Sequence, residues 1–281
     1  MRRLCSATLR EYPSVESSVD ITGRACDPGP MVTPPVPPLY RDVDFNSPLG
    51  QAHAARLIHS LDSLAGKRIV DIGCGWAELL LRALHGEPTA TGLGIDLSEQ
   101  AIEHGRANAR ARGLQERVEL VVGDVGAWPG TAANVVFNIG AAHVWGADPV
   151  THTANALGTA ADLLRPGGRF LFGECFWTRE PTSQELEAMR DVPRGQYRSM
   201  GDLVDLALSH GFRLRALSQA SLEEWDDFEN RHAQGWEEWL SAHPDSPDAG
   251  KVRAQADRRR EFRIRGARDT LGFAYLSLIR V

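Results

Sequence analysis

Cysteine is scarce in this chain. Its 281 residues contain only Cys5, Cys26, Cys74 and Cys175, widely scattered and without a CxxC pair, so no disulfide framework is expected and a reduced, cytoplasmic setting fits best. Long apolar runs are missing as well. The longest are strand-length and broken by Asn, Gly or Arg, whereas a membrane span needs about 20 mostly apolar residues. No transmembrane helix is therefore expected. A basic excess is also absent: 31 Lys and Arg stand against 37 Asp and Glu, giving a net charge of -6, the reverse of the balance in a dedicated nucleic-acid binder. Arg2, Arg3 and Arg10 are followed by no apolar h-region, and Glu11, Glu16 and Asp20 speak against an organellar transit peptide. What is present is 42% hydrophobic composition, enough for a sizeable core.

Residues 1–40 show neither helical nor strand periodicity and carry Pro34, Pro35, Pro37 and Pro38, which predicts a disordered N-terminal tail. Met31 offers an alternative translation start. From 41 to 281 the pattern predicts one folded domain. A helix over Pro48–Leu64 leads into an alternation: strand Arg68–Ile72, helix Ala77–Leu84, strand Ala90–Ile95, helix Ser98–Arg112, strand Val118–Val122, strand Asn134–Ile139, helix Asp148–Leu164, strand Arg169–Cys175. Such alternation implies an α/β fold, a doubly wound parallel sheet with helices on both faces. A turn-rich loop through Arg194, a helix over Met200–Ser209, a strand over Phe212–Ser218 and a closing strand over Gly272–Val281 follow. The last two strands are separated by an insert, about 221–270.

The strongest motif is Ile69-Val70-Asp71-Ile72-Gly73-Cys74-Gly75-Trp76, an apolar strand running into a glycine turn that opens a helix. Glycines there permit the tight turn and let a ligand touch the backbone. A dinucleotide fingerprint needs a third glycine at position 78, where Glu78 stands, and Asp71 precedes the first glycine; a pyrophosphate would be repelled by this charge. Asp71 suits a cationic or amine-bearing ligand instead. Asp96 ends the second strand, 21 residues after Gly75, where a carboxylate accepts from ribose hydroxyls. Asp124 ends the third strand, within reach of an adenine amino group.

Together these residues resemble the class I S-adenosylmethionine-dependent methyltransferases, whose first motif is similar to Asp71-x-Gly73-x-Gly75. Leu164-Arg165-Pro166-Gly167-Gly168-Arg169 resembles the turn before that family's fifth strand. The resemblance covers roughly Gln51–Ser218 and Gly272–Val281. It implies a Rossmann-like sheet of seven strands, the last antiparallel, with S-adenosyl-L-methionine bound by Asp71, Gly73, Cys74, Gly75, Asp96, Leu97, Asp124, Val125 and Asn138. Residues 41–281 then form the methyltransferase domain.

The resemblance also places the acceptor at the loop after the fourth strand, Asn138-Ile139-Gly140-Ala141-Ala142-His143. No Asn-Pro-Pro-Tyr-like motif is present there, which makes DNA adenine and protein glutamine poor substrates. His143 is a candidate base or orienting group, as is Glu174 at the end of the fifth strand. No His/Asp/Glu cluster has metal-ligand spacing, so no metal is expected. Within the insert, Glu223–Asp248 carries nine acids and one base, Lys251–Arg268 eight bases and two acids, which predicts two charge-paired helices forming a lid. Trp145, Trp177, Trp225 and Trp236 are candidate contacts for a small, partly apolar acceptor. The expected function is methyl transfer to O or N of such a metabolite. The alternatives are a non-catalytic cofactor-binding regulator or subunit and a lipid-directed enzyme of the cyclopropane-synthase type.

Overall fold

The computed structural model describes residues 35–127, 130, 132–146, 148–190 and 192–281. Met31 and nearly all of the tail lie outside these residues. The sheet contains β1 (Arg68–Ile72), β2 (Thr91–Asp96), β3 (Val118–Val122), β4 (Ala133–Ile139), β5 (Leu164–Trp177), β6 (Phe212–Gln219) and β7 (Leu271–Arg280). Its spatial order is β3-β2-β1-β4-β5-β7-β6. The β1–β2, β1–β4, β2–β3 and β4–β5 pairs are parallel, while β7 runs antiparallel to both β5 and β6. The chain moves outward from β1 to β3 and then returns to β4 on the other side of β1. That reversal opens a crevice at the carboxyl ends of β1 and β4, where doubly wound sheets take their ligands.

Eight α-helices are described: α1 (Gln51–His59), α2 (Glu78–Gly86), α3 (Glu99–Ala111), α4 (His152–Leu163), α5 (Ser183–Met189), α6 (Met200–Ser209), α7 (Leu222–Ala242) and α8 (Ala249–Glu261). Leu57, Leu80, Leu84 and Ile102 from α1–α3 pack with Ile69, Phe137 and Leu171 on one sheet face. Leu157 and Ala160 of α4 and Leu203 and Ala207 of α6 pack with Phe170, Phe172 and Leu276 on the other. Central strands buried on both faces read as continuous apolar runs, which is why β1 and β7 stand out in the sequence. Helix starts are fixed by side-chain caps: Ser98 accepts from the Ala101 N–H, Ser199 from Asp202, and Ser221 with Glu224 forms a capping box opening α7.

Four expectations need correction. The first helix stops at His59 instead of Leu64, because Asp62 takes φ 62 in the left-handed region, although Leu61 and Leu64 remain buried. The helix expected from Asp148 begins only at His152, residues 148–151 being held in a turn in which the Asp148 carbonyl accepts from the Thr151 N–H. The stretch through Arg194 contains α5, opened by a Thr182/Glu185 capping box. The expected turn before the fifth strand is absorbed into β5 as a bulge. Leu164 pairs with Ala133, and the ladder resumes at Arg169–Val135 after Gly167 has turned at φ +80.

Candidate active site

The turn joining β1 to α2 places Gly73 (φ 67), Gly75 (φ 55) and Ala77 (φ 59) in the left-handed region. The N–H groups of Gly73 and Cys74 donate to the Ile95 carbonyl at 2.9 and 3.1 Å, which ties the turn to β2. Gly75 N–H donates to Asp96 Oδ2 at 2.7 Å, and Ser98 N–H donates to Asp96 Oδ1 at 2.9 Å. The Asp96 carboxylate is thereby fixed at the tip of β2, beside the turn.

The two glycines differ in their surroundings. A Cβ at Gly73 would lie 2.3 Å from the Cβ of Ala141, whereas one at Gly75 would meet nothing within 4 Å. Gly73 thus serves contact between the β1 and β4 ends, and Gly75 leaves its backbone open to a ligand. We expect Gly73→Ala to cost about 2–4 kcal/mol, left-handed strain plus overpacking, and Gly75→Ala only about 1–2 kcal/mol, strain alone. Urea unfolding of the two variants checks this; equal losses would contradict it.

Asp71 is 5% exposed, and its carboxylate forms no hydrogen bond among the described residues. Burial, with the like charge of Asp96 adding to it, raises its pKa to about 8. On the neighbouring strand β4, Asn138 is fully buried and donates from Nδ2 to the Ile72 carbonyl at 2.9 Å, while its Oδ1 has no partner among the described residues. The crevice therefore holds a buried carboxyl and a buried amide oxygen with unfilled acceptor capacity. Glu78 adds no unpaired negative charge beside the turn. Arg82 and Arg112 each hold its carboxylate at 2.7 Å.

The remaining cofactor candidates line the same edge. Leu97 is 65% exposed beyond Asp96. Asp124 is exposed, its Oδ1 accepting from Gly126 N–H at 2.8 Å, and Val125 is buried. The Cys74 thiol packs where Gly94 has no side chain, and burial holds its pKa well above the usual range. One aromatic residue beside the turn, Tyr40, went unread. Tyr40 stacks on His104 at 4.0 Å and meets Trp76 edge-on, and Trp76 donates to the Asp44 carbonyl at 2.7 Å. The segment through Asp44 thus crosses the turn side of the crevice. Tyr40 was missed because it was counted with the tail, although an aromatic after a proline run was a visible signal.

On the acceptor side, His143 is exposed in a 3-10 turn, Ala142–Trp145. Partial desolvation and neighbouring His152 hold its pKa below the usual histidine value. Glu174 is 9% exposed and accepts from Cys175 N–H at 2.8 Å. Burial raises its pKa to about 7. Among the tryptophans, Trp145 is half-buried against the α4 side of the core. Trp177 is committed to the Arg194 carbonyl at 3.2 Å and packs with Met189 and Leu271. Trp225 meets Phe273 edge-on at 6.3 Å, and the Phe273 ring lies against Gly140 and Gly173 at the sheet edge. Trp236 belongs elsewhere, clustered with Trp239, Val252 and Val36; it sits 11 residues along the same helix, about 16 Å from Trp225. Among the described residues no group of three His, Cys, Asp or Glu could hold a metal ion, and no helix is long and apolar enough to cross a membrane.

A model of the methyltransferase domain matches residues 63–229. The chain belongs to that family and is a class I S-adenosylmethionine-dependent methyltransferase. The protein YjhP of Escherichia coli K12 is 28% identical over 239 residues, which span 84% of this chain and 93% of YjhP. The crystal structure of YjhP superposes with a TM-score of 0.75 at 27% identity, covering 84% of this chain and 95% of that one. A methyltransferase from Thiobacillus denitrificans, solved with S-adenosyl-L-homocysteine, gives a TM-score of 0.76 at 25% identity over 86% of this chain and 96% of that one. A UbiE ubiquinone/menaquinone biosynthesis C-methyltransferase of Dinoroseobacter shibae is 34% identical over 107 residues, 38% of this chain and 42% of that protein.

Proposed function

We propose that residues 41–281 form a methyltransferase domain that methylates O or N of a small, partly apolar metabolite, with residues 221–270 as its lid. The observation that carries the cofactor site is the buried, unpaired Asp71 beside the open backbone of Gly75. A carboxylate with no internal partner fits the ammonium of an amino-acid moiety. The unpartnered Asn138 Oδ1 supplies a further acceptor. Asp96 fits the ribose hydroxyls, its carboxylate already oriented by two backbone donors, and exposed Leu97 fits an apolar ring face. When bound, S-adenosylmethionine supplies an electrophilic methyl group on a sulfonium whose sulfur leaves as a neutral thioether.

The protein's part is positioning and proton removal. As the acceptor O or N forms its bond to the methyl carbon, its proton passes to a base. Glu174 is suited to this, since a carboxyl that titrates near 7 takes and releases protons at neutral pH. His143 orients the acceptor or serves as base in its place. The apolar Phe273–Trp225 wall favours a small molecule over a polymer.

Incubation of the full chain with methyl-labelled S-adenosylmethionine and a metabolite extract, followed by NMR of the product, tests the reading. Methylated O or N is expected, and a new C–methyl bond or absence of product would contradict it. His143→Gln should lower kcat by about 100-fold with S-adenosylhomocysteine affinity unchanged, and a fully active variant would remove His143 from the mechanism. For Glu174, kcat should rise with pH through about 7, and Glu174→Gln should abolish that rise.

A further inference from the structure

Between α8 and β7 the chain makes a π-helical turn, Phe262–Ala267, a feature frequent at functional sites. Arg263 within it is only 4% exposed. Its Nη2 donates to Asp226 Oδ1 at 3.1 Å, but Nε and Nη1 are buried without a partner among the described residues. Its guanidinium lies 5.1 Å over the ring of Trp225, whose Nε1–H is likewise buried and unpartnered. Three buried donors in one contact are expensive for a fold to retain. The ring face compensates part of the charge but accepts none of the N–H groups in the guanidinium plane. Asp226 cannot take the spare donors as well, because its other oxygen is held by Arg268 at 2.8 Å, and Arg268 also meets Asp269 at 3.9 Å.

The complement of a cluster with spare donors and no spare acceptor is an acceptor-only anion. The position selects which molecule brings it. Trp225 abuts Phe273, which lies against Gly140, the residue that follows β4 at the crevice. We propose that Arg263 and Trp225 form an acid-binding subsite, holding a carboxylate of the acceptor on the insert while the apolar remainder crosses Phe273 toward Gly140. This rests on the proposed acceptor site and narrows its substrate class to small carboxylic acids.

The test uses the full chain loaded with S-adenosylhomocysteine, whose binding is first measured by calorimetry, and benzoate as the probe. NMR follows the Trp225 indole N–H, assigned with Trp225→Phe, and ligand-observed titration follows benzoate itself. Benzoate should shift that resonance with millimolar affinity, the range of a fragment of its size, and benzyl alcohol should not. Arg263→Gln should weaken benzoate at least tenfold, Arg263→Lys less. Trp225→Phe, which keeps the ring and loses the donor, should weaken benzoate about threefold or more and serves if Arg263→Gln does not fold. An unmoved indole resonance, equal response to benzyl alcohol, full displacement by equimolar inorganic phosphate, or wild-type benzoate affinity in both variants would overturn the subsite. Failure of S-adenosylhomocysteine to bind, with benzoate still recognised, would count against the cofactor reading and leave the subsite standing.

Discussion

Asp71→Asn should weaken S-adenosylhomocysteine binding by about 10- to 150-fold at pH 7.5, the equivalent of one charge-assisted hydrogen bond of about 1.5–3 kcal/mol, and should stabilise the ligand-free protein. The two effects share a cause. Asp71 is buried without a partner, and its pKa stands at about 8 in the fold against about 3.9 in an unfolded chain. A carboxyl whose folded pKa is raised costs nothing below the unfolded value; its penalty grows as pH climbs from about 4 to 8 and is constant above. Glu174, raised to about 7 by burial, contributes in the same sense between about 4 and 7. Stability of the free protein from these two groups therefore falls across that window. Asp62 and Glu185, lowered to about 2 by their arginine partners, act in the opposite sense but only in acid, where their contribution is lost as pH falls from about 4 to 2.

A cationic ligand reverses the penalty at Asp71 by favouring the ionised form. Affinity should rise by up to tenfold per unit between pH 5.5 and 7.5, with close to one proton released per ligand bound near neutrality. Asparagine carries no charge at that position, so the variant's affinity should be flat over the same range, and its urea midpoint at pH 8 should exceed that of the wild type. Titration calorimetry in two buffers of different ionisation enthalpy reads the proton count. Equal pH dependence in both proteins would show that Asp71 does not meet the cation.

Glu229→Ala should cost about 2–3 kcal/mol of stability and leave cofactor affinity intact. Glu229 is 7% exposed and holds Arg259 through both oxygens, at 2.9 and 2.8 Å, across the α7–α8 interface. Removing one partner of such a pair strands the other charge in a poor environment; Arg259 is 31% exposed, so solvent relieves part of the loss. The neighbourhood cannot compensate. His232 on the same helix is half-buried, its pKa pushed down to about 3 by desolvation and by Arg259, and stays neutral. Since the pair lies on the insert, Asp71 and Asp96 lie on β1 and β2 and Gly75 lies in the turn after β1, urea unfolding should shift while S-adenosylhomocysteine binding does not. Parallel losses would mean that the insert and the crevice form one energetic unit.

The sheet was readable from the sequence because its signals are local. Apolar strands, the glycine turn after Asp71 and the closing β7 run each state themselves within about ten residues, while the antiparallel direction of β7 came from the resemblance alone. The approach of Asp96 to Gly75 was readable too, as the carboxyl ends of adjacent parallel strands must meet. Other features depend on partners distant in the chain. Nothing near Glu78 announces that Arg112, 34 residues away, shares in neutralising it. The unpaired state of Asp71 is a property of what the fold fails to place beside it. Arg263 and Trp225, 38 positions apart, meet only because α7 and α8 fold back on each other. Trp177 and Trp236 looked like acceptor contacts by composition, but packing against α5 and α8 claims them. The α5 capping box was legible as Thr182-x-x-Glu185 and was overlooked in a stretch dominated by turn residues.

The central claim is that the crevice takes an amino-acid nucleoside rather than a dinucleotide. Calorimetric titration of the full chain with S-adenosylhomocysteine and, in parallel, with NAD tests it most directly. Saturable one-to-one binding of S-adenosylhomocysteine and no heat from NAD are expected, because Asp71 lies at the carboxyl end of β1, by the turn where a pyrophosphate would need to sit. Saturable NAD binding, or no binding of S-adenosylhomocysteine, would contradict it.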